Sequence, residues 1–498
     1  MQHRISVVAL FTAIALAACS TDVVVAPKSA PKSLSLAVSA EAAGNYIVLM
    51  NGNGISKAFQ QNVAKLGGKV AWSHAGAGLA TVSGLTNAAA AELASTSGVA
   101  EVEPDIQITL DAPLAAAQAD VADIADPTIS SVSNPATALR YSWQWNMRFI
   151  GANDAWAAGK LGSASVTVAI LDTGIDYDIP DLNGLVDLSR STSFVAGDNA
   201  IRSTYFPSRD NITDFNGHGT NVATQVSSKA FALAGVTSKT TLIGVKVLGL
   251  NGSGFTSAVL AGVVWAADHG ANIANMSLGS EFNKSGAGGR HSIINRVFNY
   301  AKQKGMLIVV AAGNAHDPDF IPVDIQHNGN QYIGYCDAPH VICVAAVGPT
   351  TYDASLVPPF NGDVPAWYSY YGRNAISVAA PGGNYDAGVN FPVLSVWPWG
   401  VDFASWVWSY CAKDRIAGFT AAGVPVPPIP SCAAGNRLSG YIGTSQASPH
   451  VAGLAASLMA EFGTGQTQQI KNLIEKSSVP IDPAYGRGRI SVKNALGL

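Results

Sequence analysis

Short, nearly unbroken aliphatic runs recur along the chain from residue 166 onward. They are Val166–Leu171, Thr241–Val247, Ile273–Ser277, Met306–Ala311, Val341–Val347 and Ile376–Val378. A strand with one wet face alternates apolar and polar residues, whereas a run apolar at nearly every position is buried on both faces. Helix-compatible segments separate the runs. The pattern therefore predicts an α/β domain over 142–498, a doubly wound parallel sheet with helices on both faces. In such sheets functional groups gather at the carboxyl ends of the strands.

A smaller pattern precedes it at 45–110. Tyr46–Met50 is β-rich, Ser56–Leu66 helical, and Lys69–Ser73 a strand after the Gly67-Gly68 break. Leu79–Val82 reads as a strand, Asn87–Ser95 as a helix and Val99–Ile108 as a closing strand. This β-α-β-β-α-β order predicts a small α+β unit of ferredoxin-like type. Residues 111–141, rich in Ala, Asp and Pro, read as a linker, and 20–44 as a flexible tether.

The first nineteen residues read as an export signal. His3 and Arg4 precede the apolar stretch Ile5–Ala18, which is shorter than the ~20 residues a membrane-spanning helix needs. Leu16-Ala17-Ala18-Cys19 resembles the bacterial lipobox, whose cysteine receives lipid; an ordinary signal peptide with Cys19 incidental is the other reading. Both put the chain outside the cytoplasm. The chain holds five cysteines, and setting Cys19 aside leaves four. Their spacing makes Cys336/Cys343 and Cys411/Cys432 the simplest pairs, expected as staples on surface loops, with four free thiols as the alternative.

Composition excludes two classes. Of 498 residues, 48% are hydrophobic and 12% charged, unlike a disordered chain. The formal net charge is −4 with no run of Lys or Arg, so the footprint of a nucleic-acid partner is missing.

Three segments carry chemistry. Asp172 closes a buried run and is followed by Gly174; alone, it reads as a capping residue. His218 lies in Asn216-Gly217-His218-Gly219-Thr220, ahead of a helix-compatible run, and an unperturbed imidazole near pH 6.5 suits a general base. Ser445 lies in Gly443-Thr444-Ser445-Gln446-Ala447-Ser448-Pro449-His450, where a turn enters a small-residue helix running to about Ala460. Free N–H groups at such a helix start can meet developing negative charge. Together the three resemble the subtilisin family of serine proteases, which carries such motifs in the order Asp, His, Ser. Esterases and lipases of the α/β-hydrolase type run Ser, acid, His around Gly-x-Ser-x-Gly; here the order differs and Ala447 stands two residues after Ser445. A non-catalytic relative would lack one of the functional residues, and all are present.

The resemblance implies an acyl-enzyme mechanism with Asp172, His218 and Ser445 as triad and Asn314 as oxyanion donor. It implies a substrate-binding edge at Gly252, Ser253 and Gly254, and a pocket flanked by Ser277, Leu278, Gly279 and by Ala311, Ala312, Gly313. No carboxylate stands in those segments, so broad cleavage after apolar residues is expected. Tyr46-Ile47-Val48-Leu49 and Gly98–Asp105 resemble the family's inhibitory propeptide, implying a zymogen that cuts itself between Leu110 and Tyr141. Protein or peptide substrates and the chain's own propeptide are the expected partners. A monomer is expected, touching membrane only through a lipid on Cys19. The chemistry requires no cofactor; structural calcium is common in the family, and Asp181 matches a position able to bind it, but no ligand set is complete. Gln446 stands where Met is usual and Asn221 where His is common. An insertion at 383–441, with Trp397, Trp399, Trp406 and Trp408, either walls the cleft or buries its own aromatics.

Overall fold

The computed structural model describes residues 44–110, 116–120, 131–279, 281–286, 288–315, 321–327, 329–349, 361–384, 406–426 and 437–498. Its N-terminal unit comprises β1 (Tyr46–Met50), α1 (Lys57–Lys65), β2 (Lys69–His74), β3 (Leu79–Ser83), α2 (Asn87–Ala94) and β4 (Val99–Pro104). The strands form an antiparallel sheet in the order β2-β3-β1-β4. Both helices start on hydroxyl caps, Ser56 accepting from Phe59 N–H and Thr86 from Ala89 N–H, which satisfies a donor the helix itself cannot. Tyr46, Val48 and Met50 pack under these helices. Ile47 and Leu49, on the opposite face, join a core of the larger domain. Two-sided burial explains why β1 reads as a continuous apolar run.

The expected closing strand Val99–Ile108 is broken in two. After Pro104 the chain leaves the sheet, because the Asp105 carboxylate accepts from the backbone N–H (2.9 Å) and the hydroxyl of Ser257. β5 (Gln107–Thr109) then lies antiparallel to β10 (Ser253–Phe255) of the larger domain. The expected linker also contains a strand, β6 (Ala116–Asp120), and the chain is packed on the larger domain again by Pro135 and Ala138.

The larger domain is built on β7 (Thr167–Asp172), β8 (Thr192–Ser193), β9 (Thr241–Lys246), β11 (Ile273–Met276), β13 (Leu307–Ala311), β15 (Val341–Val347) and β16 (Val378–Pro381). All neighbours are parallel, in the order β16-β15-β13-β11-β7-β9-β8. β12 (Glu281–Asn283) and β14 (Gln331–Ile333) form a separate ribbon. Along β7, Val168 and Ile170 face a core shared with α3 (His218–Val226) and α7 (Thr444–Phe462). Ala169 and Leu171 face a core shared with α4 (Thr256–Asp268) and α5 (Gly288–Gln303). Five expected strands fall where the aliphatic runs placed them; the sixth moves from Ile376–Val378 to Val378–Pro381, and β8 is too short to leave a periodic signal.

From β7 the chain runs out to the edge strand β8, fills in with β9 beside β7, then crosses to β11 on the other side of β7. That reversal opens a crevice beyond the carboxyl ends of β7 and β11, where Asp172 and Ser277 stand.

Cys336 and Cys343 are disulfide-bonded, but not on a surface loop. They are 8% and 1% exposed, and Cys343 lies within β15, a strand buried at every position. Cys411 is also disulfide-bonded; Cys432 lies outside the described residues, as do Cys19, the export signal, Trp397 and Trp399. Among the described residues no helix is long and apolar enough to cross a membrane.

Candidate active site

Asp172 is the last residue of β7 and is fully buried. Its Oδ1 accepts from Thr173 N–H (2.7 Å) and lies 2.8 Å from His218 Nδ1. His218 opens α3, with its side chain 13% exposed. Gly219 lets this helix start against the β7 turn: a Cβ there would stand 2.1 Å from the Gly174 carbonyl and 3.1 Å from Asp172 Cβ. No other residue permits that approach.

The loop carrying His218 is held by Asp214, which sequence reasoning missed. Asp214 Oδ1 accepts from the N–H groups of Asn216 and Gly217 and from the Thr173 hydroxyl, and Oδ2 from Thr220 N–H and hydroxyl. Five donors on one buried carboxylate fix the backbone on both sides of the imidazole. Its only trace in the sequence is an acidic residue four positions before His218.

Ser445 is the second residue of α7, half-buried, and its hydroxyl donates to the Ser277 carbonyl at 3.1 Å. The Ser277 hydroxyl in turn donates to the Ser445 carbonyl (2.7 Å) and meets Ser448 Oγ at 2.8 Å. Ser277 is itself fully buried. Expected at the pocket wall, its side chain instead ties the end of β11 to the helix that presents Ser445. Leu278 is also buried, and Gly279 is exposed, facing open space. Across the cleft, Ala311 and Ala312 are buried, and a Cβ on Gly313 would stand 2.7 Å from the Tyr370 ring.

Asn314 follows β13, and its Oδ1 accepts from the N–H (2.8 Å) and hydroxyl (2.9 Å) of Thr444. The residue beside Ser445 thus fixes which way the amide points, leaving Nδ2 as its donating end. The two departures from the resembled family meet beneath: Gln446 Nε2 donates to Asn221 Oδ1 at 3.3 Å. A pair that replaces Met and His is joined by a hydrogen bond, and it holds the first turns of α3 and α7 side by side.

The insertion contributes β17 (Val407–Tyr410), α6 (Arg415–Ala422) and β18 (Arg437–Tyr441). Trp406 and Trp408 are buried, not in a core of the insertion's own but in the domain core with α3 and α7. Asn221 and Gln225 of α3 donate to the carbonyls of Val407 and Trp408. Arg415 Nε donates to the Asn216 carbonyl at 2.7 Å, and Arg209 bridges Asp176, Asp178 and Asp414. The insertion therefore buttresses the loop and helix that carry His218.

Gly252 and the strand β10 are covered by the chain itself. Ser253 pairs with Thr109, Gly254 with Ile108 and Phe255 with Gln107, while Leu110 N–H donates to the Gly252 carbonyl at 2.9 Å. The expected substrate edge holds an extended peptide.

Asp181 does not fit a calcium ligand. Fully buried, it accepts from the backbone N–H groups of Phe231, Ala232 and Leu233, and burial pushes its carboxyl up to about 7. Donors converge there, where a cation needs oxygens. Among the described residues no cluster of three His, Cys, Asp or Glu could hold a metal.

His450, two turns into the site helix, is fully buried between Asn146 Nδ2 (2.8 Å) and the Gln446 carbonyl (2.8 Å), and burial pulls its imidazole down to about 4. The unfolded chain binds this proton below pH ~6.5 and the folded chain only below about 4. Stability from His450 is thus present above pH ~6.5 and lost as pH falls toward 4, by about 3 kcal/mol in all. His450→Gln should reduce the loss of urea-unfolding free energy between these pH values by that order.

The Subtilase family profile matches residues 163–497. The chain is 30% identical over 348 residues to a thermophilic serine proteinase of Bacillus sp., covering 69% of this chain and 64% of the relative's length. It is 28% identical over 414 residues to alkaline elastase YaB of Bacillus sp., covering 81% of this chain and 85% of the relative. In structure it is similar to the epidermin leader peptide processing serine protease of Staphylococcus aureus, with TM-score 0.65 and 21% identity over 92% of this chain and 98% of that one.

Proposed function

This chain belongs to the Subtilase family, and from that premise we propose that it is an exported serine endopeptidase, made as a zymogen that cuts itself. The observation that carries the reading is the Asp172–His218 pair, its carboxylate buried, on a helix packed against the one that Ser445 opens, with Asn314 held by the neighbouring Thr444 and an extended peptide paired to β10.

In this mechanism His218 Nε2 takes the Ser445 proton as Oγ turns from the Ser277 carbonyl and attacks the scissile carbon. Asp172, bonded to Nδ1, orients the imidazole and stabilises its cation. The oxyanion receives hydrogen bonds from Asn314 Nδ2 and Ser445 N–H. The intermediate collapses as His218 returns the proton to the leaving amine, and water then repeats the sequence on the acyl-enzyme. Asn314→Ala should lower kcat by about 10²–10³ with KM little changed, the loss found for the corresponding donor in subtilisin, measured on peptide substrates.

The N-terminal unit acts as inhibitory propeptide. Beyond the β5–β10 pairing, Asp105 caps α4 at Ser257, and Glu103 lies 3.7 Å from Arg290 of α5. Main-chain pairing to β10 and pocket segments 277–279 and 311–313 that carry no carboxylate support broad cleavage after apolar residues. Cys19, if lipidated, lies on the propeptide side of the cut, so processing frees the protease from the membrane. Intact mass tests this: wild type should shorten by roughly the first 110–140 residues of the chain, and a mature protease still joined to residues 19–108 would contradict it.

A further inference from the structure

β18 is not an edge strand. It pairs antiparallel with β17 on one side and, on the other, with β6: Arg437 with Asp120, Leu438 with Ala119, Ser439 with Gln118, Gly440 with Ala117 and Tyr441 with Ala116. β6 belongs to the segment that follows β5, so two stretches of the same chain are held as added strands, one on β10 and one on β18. Leu110, whose N–H meets the Gly252 carbonyl, and Ala116, opposite Tyr441, are six residues apart. Six steps of chain span about 20 Å at most. Each edge adjoins one of the site's residues: Ser445 follows Tyr441 by four residues, and a Cβ on Gly252 would stand 3.7 Å from Asn216 of the His218 loop.

We infer that β18, carried by the insertion, is the docking strand for the part of a substrate that follows the cut, gripping about five residues by main-chain pairing. The inference rests on the protease reading above, with β5 and β6 taken as the two halves of a tethered substrate. Adding a strand to a sheet gives affinity from main-chain hydrogen bonds with little demand on side chains. The strand is firmly seated to receive one. A Cβ on Gly440 would stand 3.2 Å from both Trp406 and Trp408, whose indoles are buried beneath it, and Trp408 O is bound by Gln225 of the His218 helix. Two consequences follow. Substrates should need an extended stretch after the cut as well as before it. After processing, 116–120 remains joined to the protease and competes with substrate for β18.

Amide hydrogen exchange on the full-length Ser445→Ala chain tests the surface without catalysis: 116–120 should be protected together with 437–441. In the processed wild type, peptides of sequence 107–115 extended by one to six residues should gain kcat/KM by about tenfold or more by the fifth. N-methylating successive added amides should cancel the gain at every second position, because only alternate residues of an antiparallel pair bond across it. Free exchange at 116–120 in the inactive chain, a flat length series, or N-methylation effects without the two-residue period overturns the inference. Protection at 116–120 in the Ser445→Ala chain together with a wild type that never cleaves supports the docking strand while contradicting the proposed function.

Discussion

Ser445→Ala should leave the chain whole and lower turnover on added peptides by about 10⁶, as loss of the nucleophile does in subtilisin. Two features make the effect large and its reading clean. The hydroxyl lost is the only one at the start of α7 that stands both half-exposed and bonded to the cleft carbonyl of Ser277; Thr444 is buried and committed to Asn314, and Ser448 is buried against Ser277. No neighbour can substitute for it. The fold should survive, since Ser445 Oγ makes a bond of 3.1 Å to an accepting carbonyl, while the link from the Ser277 hydroxyl to the Ser445 carbonyl does not involve Oγ. Unchanged urea stability with an unprocessed chain is the expected pair of results.

Asp172→Asn should cost about 10⁴ in kcat while preserving the geometry, the loss seen when the corresponding acid of a serine-protease triad is made an amide. Asp172 Oδ1 accepts from Thr173 N–H and faces His218 Nδ1 at 2.8 Å. An amide that presents its oxygen keeps both contacts, since both fall on Oδ1, but it carries no charge to stabilise the imidazolium that forms when His218 takes the serine proton. Where its NH₂ meets Nδ1, it holds the imidazole in the tautomer that carries its proton on Nε2, unable to act as base. The loss should shrink at high pH, where hydroxide competes as base, and a kcat–pH profile reads it. A decrease confined to KM would place Asp172 outside the chemistry.

Much of this was readable in the residues because two-sided burial leaves a strong signal. β7, β9, β11, β13 and β15 are apolar at nearly every position, and the chemistry-bearing residues follow directly on three such strands or on glycine-rich turns. What stayed hidden has a common physical cause: contacts between distant segments carry no local period. Asp214 looks like any loop acid until five donors converge on it. The Val99–Ile108 run alternates well enough to read as one strand, and only the docking of Asp105 on Ser257 shows why it breaks. Cys336 and Cys343 are near in sequence, which gave the pair, but their burial depends on Cys343 falling within β15. The tryptophans of the insertion read equally as a wall or a private core, and the place of Trp406 and Trp408 in the core with α3 is a tertiary fact. β6, in an Ala-rich stretch, takes its strand form from the edge that β18 offers.

Covalent labelling of the processed protein, with an organophosphonate that reacts only with an activated serine, probes the triad as a working unit. Mass spectrometry should find one adduct per chain, on the peptide holding Ser445, and none in His218→Ala. Label on another residue, or none on a processed and folded chain, would contradict the assignment of Asp172, His218 and Ser445 as one catalytic unit.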